Sequence, residues 1–148
     1  MKTKEIIVEM DDREPTATLA RADILNMETK EQLILERKRL KVGDFIYKPL
    51  SICIERKEIN DFCGSIIDGR LKSQIEKMKA NYKNNYVIIV GNMKDRTSEI
   101  NTNCLLGKMV SLIIKDEMKL LYCNDEFELL YIIKSIIKKV GELEGGTK

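Results

Sequence analysis

The chain has no histidine and no tryptophan, two prolines, and four cysteines in 148 residues. Each scarcity removes a class of chemistry. Without imidazole there is no Ser-His-Asp triad, no Cys-His dyad, no zincin and no histidine-dependent metal nuclease. The cysteines, Cys53, Cys63, Cys104 and Cys123, form no CxxC pair and sit mostly among Ile, Leu and Val. Of two readings, a disulfide or zinc framework and reduced thiols packed as small hydrophobes, the second is expected. No secretory leader is expected, because Glu9, Asp11 and Asp12 break the first apolar run, and no apolar stretch of membrane-spanning length is read. The expected location is inside the cell, in cytoplasm, nucleoid or nucleus, with no membrane partner.

Neither sign of charge dominates. The 26 Lys+Arg against 24 Asp+Glu leave a net charge of +2, so any surface for a polyanion has to be local. What is present, 43% apolar and 34% charged residues, suits one soluble domain with its own core. Apolar runs rich in β-branched residues predict strands over 6–10, 32–37, 41–47, 51–57, 86–90 and 119–122. Helical spacing predicts helices over 16–27, over 60–67 with Asn60 as cap, after Asp68-Gly69, after a cap at Asn103, and from Asn124-Asp125 to Val140. This order predicts a three-layer α/β/α domain over residues 1–140 around a central mixed sheet, followed by a flexible polar tail over 141–148. The apolar residues of 105–114 and of the last helix cover more than one face, which predicts deep burial or a subunit interface.

The segment 42–57 carries the chemistry. Folded as a hairpin about Pro49-Leu50, it pairs Tyr47 with Ile52, Ile46 with Cys53 and Phe45 with Ile54, and sets Asp44 opposite Glu55 with Cβ atoms ~5 Å apart. Two carboxylates this close repel unless a cation joins them. Hard oxygen ligands suit Mg²⁺ or Mn²⁺, which keep several waters and accept phosphate oxygens. Glu55 and Lys57 share a strand face while Arg56 points the other way. Lys57 is then placed to orient a water or to neutralise charge developing on a scissile phosphate. An E-x-K in a strand is most often a solvated surface pair. Here, Ile52-Cys53-Ile54 places the charges at the end of an interior strand, and Asp11 or Asp12 adds a third acidic strand end.

These residues carry a resemblance. Asp11-Asp12-Arg13-Glu14 resembles the D-x-R-E that closes the first strand of the XPF-type structure-specific DNA endonucleases, which include the archaeal Hef nuclease. Val42-Gly43-Asp44-Phe45-Ile46 is similar to their V-G-D-[YF]-I, and 55–61 matches their E-R-K-x-x-x-D; the likeness extends over about residues 6–139. It implies a restriction-endonuclease-like fold that cuts branched DNA, such as a 3′ flap, fork or nicked junction, in repair or replication-fork processing, with Mg²⁺ or Mn²⁺. It also implies Asp11, Asp44 and Glu55 as metal ligands, Asp12 being the alternative to Asp11, and Lys57 as the catalytic lysine. Arg13, Glu14, Arg56 and Asp61 match the supporting motif positions. Arg13 and Arg56 are open between phosphate clamp and internal ion pair, and Asp61 has a simpler role as an acid in a helix first turn. Arg56, Arg70 and Gln74 are the candidate DNA contacts. The family's tandem helix-hairpin-helix domain is not seen after Val140, which leaves two readings: an excised nuclease domain, or a compact enzyme whose expected grip on DNA comes from a homodimer or from a heterodimer with a related subunit. The alternative is a non-catalytic DNA-binding or scaffold subunit paired with an active nuclease. Such degenerate partners lose their acidic ligands, and Asp11, Asp44, Glu55 and Lys57 are all present here.

Overall fold

The computed structural model describes residues 4–97 and 99–145. Six strands, β1 (Glu5–Asp11), β2 (Gln32–Lys38), β3 (Phe45–Tyr47), β4 (Ile52–Glu58), β5 (Asn84–Val90) and β6 (Lys119–Cys123), form one sheet in the order β2-β1-β3-β4-β5-β6. Only β3 runs against its neighbours; β1 pairs parallel with β2, and β4, β5 and β6 are mutually parallel. The crossovers are α1 (Ala17–Met27), the pair α2 (Ile59–Ile67) and α3 (Arg70–Asn81), and α4 (Thr102–Ile114), with α5 (Glu126–Glu144) closing the chain.

The alternation of side chains along the strands decides the layers. Ile6, Val8 and Met10, Ile52 and Ile54, and Ile88 point to one face, where they pack with Ala22 of α1 and Leu129, Leu130, Ile133 and Ile137 of α5. Val87 and Ile89 point to the other, against Phe62, Leu71, Ile75 and Leu105 of α2, α3 and α4, and Cys53 packs there with Met78 of α3. The three-layer α/β/α expectation therefore describes this molecule. All four cysteines are free thiols, and three of them are buried as expected of small hydrophobes. No helix among the described residues is long and apolar enough to cross a membrane.

Four local expectations need correction. The strand expected over 41–47 is three residues long, Phe45–Tyr47, because Gly43 at φ +74° turns the chain before Asp44. Asn60 does not cap α2. β4 runs straight into that helix, so the cap is Glu58, whose carboxylate accepts the Asn60 and Asp61 N–H groups at 3.0 and 3.4 Å. The cap of α4 is Asn101, not Asn103; its side chain accepts the Asn103 and Cys104 N–H groups. Residues 141–144, expected to belong to a tail, are helical, because α5 continues to Glu144, which accepts from Lys83 Nζ and Asn84 Nδ2 at 2.9 Å each. The part of that expectation over 146–148 lies outside the described residues.

Candidate active site

The hairpin register fixes the site. Phe45 faces Ile54, Ile46 faces Cys53 and Tyr47 faces Ile52, as the sequence predicts. One step beyond the last pair, the Asp44 N–H donates to the Ile54 carbonyl at 2.8 Å, and the Asp44 carbonyl accepts the Asp11 N–H at 2.8 Å. The Asp44 side chain takes over from the backbone, since Oδ2 accepts the Arg56 N–H at 2.8 Å. The early turn at Gly43 thus converts a ladder position into a fixed carboxylate beside Glu55. A methyl at Gly43 would meet Cys53 Sγ at 2.5 Å in a backbone conformation that L-residues disfavour. Gly43→Ala is expected to lower stability by about 2 kcal/mol and to displace Asp44. Urea unfolding measures the first effect; a midpoint equal to wild type would contradict it.

Asp44 and Glu55 share a hydrogen bond between their side chains. Lys57, on the same face and also buried, places Nζ 3.3 Å from Glu55 Oε2. Burial, reinforced by the charge of Asp44, pushes the Glu55 carboxyl up to about 8 against the pull of Lys57. Burial likewise raises Asp44, with the Asp11 charge adding to it, while the Arg56 N–H and Lys57 oppose. Glu14 lies in the turn after β1, whose N–H donates to the Asp11 carbonyl at 3.0 Å. Burial and the Asp44 charge push it up to about 7. Its Oε1 is buried with no hydrogen-bond partner among the described residues. An open cleft of about 380 Å³ is lined by Asp11, Glu14, Asp44 and Glu55 together with Arg13, Lys41, Gln74 and Lys77.

Asp11 is the acid of its pair that reaches this cleft. Its neighbour Asp12 is not among the lining residues and pairs with Arg39 at 2.6 Å. The Asp11 carboxylate is already engaged: Oδ1 accepts the Leu40 N–H at 2.9 Å and Arg13 Nη2 at 3.1 Å, and Oδ2 accepts Arg13 Nε at 2.8 Å. Burial alone would raise Asp11, but Arg13 and the Leu40 N–H outweigh it and hold the carboxyl below its usual range. Arg56, on the opposite face of β4, forms a two-pronged pair with Glu126 of α5 at 2.9 and 2.7 Å. Asp61 is exposed in the first turn of α2, outside the cleft. Arg70 is exposed and paired with Asp68 at 2.7 Å. Gln74 lines the cleft with a buried, unpartnered Oε1. Sequence reasoning missed Glu126, which lies 70 residues from Arg56 and shows only as an acid in a helix first turn.

The residues present fit a divalent cation. Half-buried Asp44 and buried Glu55 are hard oxygen donors in contact, both held above their ordinary range, and a single ammonium, Lys57 Nζ at 3.3 Å from Glu55, faces the two. Among the described residues no three acid or cysteine side chains form a complete metal cage. A two-carboxylate site suits Mg²⁺ or Mn²⁺, which keep several waters.

The electrostatics have a measurable consequence without metal. Folded Glu55 holds its proton to about 8 against the ordinary 4.5, so stability contributed at low pH is lost as the pH rises through that window. Glu14 acts in the same sense. Asp11 and Glu9, held low, act in the opposite sense, but their contribution is complete above the ordinary carboxylate values. In EDTA the melting temperature is therefore expected to fall between pH 5 and pH 8.5. Glu55→Gln is expected to flatten that slope and to add about 2 kcal/mol at the alkaline end. Equal slopes for wild type and variant would contradict this.

The ERCC4 domain profile matches residues 10–136. Over 51 residues the chain is 51% identical to the DNA repair endonuclease XPF of Dictyostelium discoideum, a span of 34% of this chain and 5% of that protein. It is 24% identical over 102 residues to the 3′-flap repair endonuclease Xpf of Saccharolobus solfataricus, covering 68% of this chain and 43% of that one. The chain thus spans less than half the length of these curated relatives. XPF from Aeropyrum pernix aligns with a TM-score of 0.75 at 26% identity, over 95% of this chain and 65% of that one. The same protein in complex with DNA aligns with a TM-score of 0.75 at 26% identity, over 94% and 64%. With its fold and the greater part of its length matched, this chain belongs to the ERCC4 domain family, as a nuclease domain of XPF type.

Proposed function

We propose that this domain is a metal-dependent, structure-specific endonuclease that hydrolyses a phosphodiester bond in branched DNA, such as a 3′ flap, fork or nicked junction, in repair or replication-fork processing. The observation that carries this reading is the pair of half-buried Asp44 and buried Glu55 in a cleft whose lining includes Arg13, Lys41 and Lys77, with Lys57 Nζ 3.3 Å from Glu55. Asp44 and Glu55 are the residues that hold Mg²⁺ or Mn²⁺. Such a cation, when bound, supplies a water made nucleophilic at neutral pH and charge neutralisation at the scissile phosphate. Lys57, buried on the same face as Glu55, would set its amino group toward the phosphate and orient the attacking water. Arg13 and the Leu40 N–H fix Asp11, which joins the ligands only by releasing Arg13. Glu14 contributes a free carboxylate oxygen to the same cleft. The relatives' printed names, a repair endonuclease and a 3′-flap repair endonuclease, support the substrate class.

Oligomerisation forms part of the proposal. The breadth of apolar residues in α5 is largely core packing, since Leu129, Leu130, Ile133, Ile137 and Val140 are buried. α4 differs: Leu106, Val110, Ile113 and Ile114 are exposed, next to Leu121 and Tyr122 of the edge strand β6. This face fits a homodimer or a related subunit. Cleavage of labelled flap, fork, nicked junction and plain duplex in Mg²⁺, Mn²⁺ and EDTA tests the proposal. Metal-dependent cutting of the branched substrates supports it, and binding without cutting under all conditions returns the scaffold alternative.

A further inference from the structure

The basic run that the motifs leave unused leads into the cleft, which its last members, Leu40 and Lys41, line. Arg37, Lys38, Arg39 and Lys41 fall within five residues and are all exposed, and only the buried Leu40 interrupts them. Like charges so closely spaced repel one another, and the fold brings Lys48 to join them through Glu9. The nearby acids do not balance the set. Glu9 is shared by Lys38 at 3.0 Å and Lys48 at 3.2 Å, Asp12 takes Arg39, and Glu36 acts on Lys38 from a distance. Arg37 donates to a neutral acceptor, the Asp12 carbonyl, at 2.6 Å, and Lys41 lines the cleft with no ion pair among the described residues.

Nor is this a loose loop. The Asp12 N–H donates to the Lys38 carbonyl at 2.8 Å, the Leu40 N–H to Asp11 Oδ1 at 2.9 Å, and Arg13 Nη2 to the Leu40 carbonyl at 2.9 Å. The strand end that carries Asp11 therefore anchors the backbone of this run beside the cleft. A rigid positive rim beside an acidic floor receives a chain of anions while the floor receives a metal, and charge-assisted contacts to phosphate need such prepositioned donors.

We propose that residues 37–41 form a phosphate-binding rim that seats the DNA backbone entering the cleft and so registers the scissile bond over Asp44 and Glu55. This rests on the nuclease reading above. The partner is the phosphodiester backbone, so the rim contributes affinity without base preference.

The test measures binding of a labelled 3′ flap by wild-type protein in EDTA over a range of salt, beside the variant Arg37→Ala/Arg39→Ala/Lys41→Ala. A control, Lys108→Ala/Lys115→Ala/Lys139→Ala, removes the same charge from exposed positions of α4 and α5 and the residue after α4. The rim variant is expected to bind roughly tenfold or more weakly near 0.1 M salt, with a log–log salt slope shallower by about 2 to 3, while the control keeps the wild-type slope. Melting temperatures establish that both variants fold. Wild-type binding and cutting with an unchanged slope in the rim variant, or equal losses in rim and control, overturn the rim and leave the nuclease standing. A wild-type protein that neither binds nor cuts DNA overturns both.

Discussion

Glu55→Gln is expected to lower metal-dependent cleavage roughly 10³-fold or more while leaving DNA affinity in EDTA within about twofold of wild type. Gln keeps the shape and one acceptor oxygen but removes the charge that a hard cation requires. Asp44→Asn is expected to give the same loss, and its amide oxygen still accepts the Arg56 N–H, so the hairpin stays intact. Lys57→Ala loses cleavage by a different route, through the charge beside the phosphate, and is expected to retain metal binding. Single-turnover cleavage beside binding in EDTA separates the cases. A carboxylate variant that cuts at the wild-type rate removes the assignment.

The second large effect is on folding. Arg56 and Glu126 bury a two-pronged ion pair between β4 and α5, with side chains 19% and 18% exposed. Arg56 also offsets the charges of Glu14 and Asp44. Its removal strands Glu126 and leaves the acidic cleft with less compensation. Arg56→Ala is therefore expected to cost about 3 kcal/mol, and Arg56→Lys to recover only part, because an ammonium cannot fork to both carboxylate oxygens. The double variant Arg56→Met/Glu126→Leu is expected to lose less than Arg56→Ala, since no charge is left unpaired. Urea unfolding of the four proteins at pH 7 measures this. Costs below about 1 kcal/mol for Arg56→Ala would mean that the pair behaves like an exposed one.

The β3–β4 hairpin was legible in the sequence because alternation and the Lys48-Pro49-Leu50 turn leave one register that buries Phe45, Cys53 and Ile54. The same register brings Asp44 to Glu55 and separates Lys57 from Arg56, so the core of the site follows from strand geometry alone. The helix caps were read two residues late, at Asn60 and Asn103, because Asn is a good cap in isolation and the sequence does not show that β4 passes directly into α2. Other features depend on contacts between distant segments, which periodicity cannot report. Glu126 reaches Arg56 across 70 residues, and Leu40 holds Asp11 across 29. Asp11 itself reads from sequence as a free ligand, whereas the fold gives both its oxygens to Arg13 and Leu40.

The central claim is that Asp44 and Glu55 together hold the divalent cation. Calorimetric titration of Mn²⁺ into wild-type protein and into Asp44→Asn at pH 8 tests it without DNA or turnover. Wild type is expected to bind Mn²⁺ at a site that Asp44→Asn lacks; equal stoichiometry and affinity in the two proteins would contradict the claim.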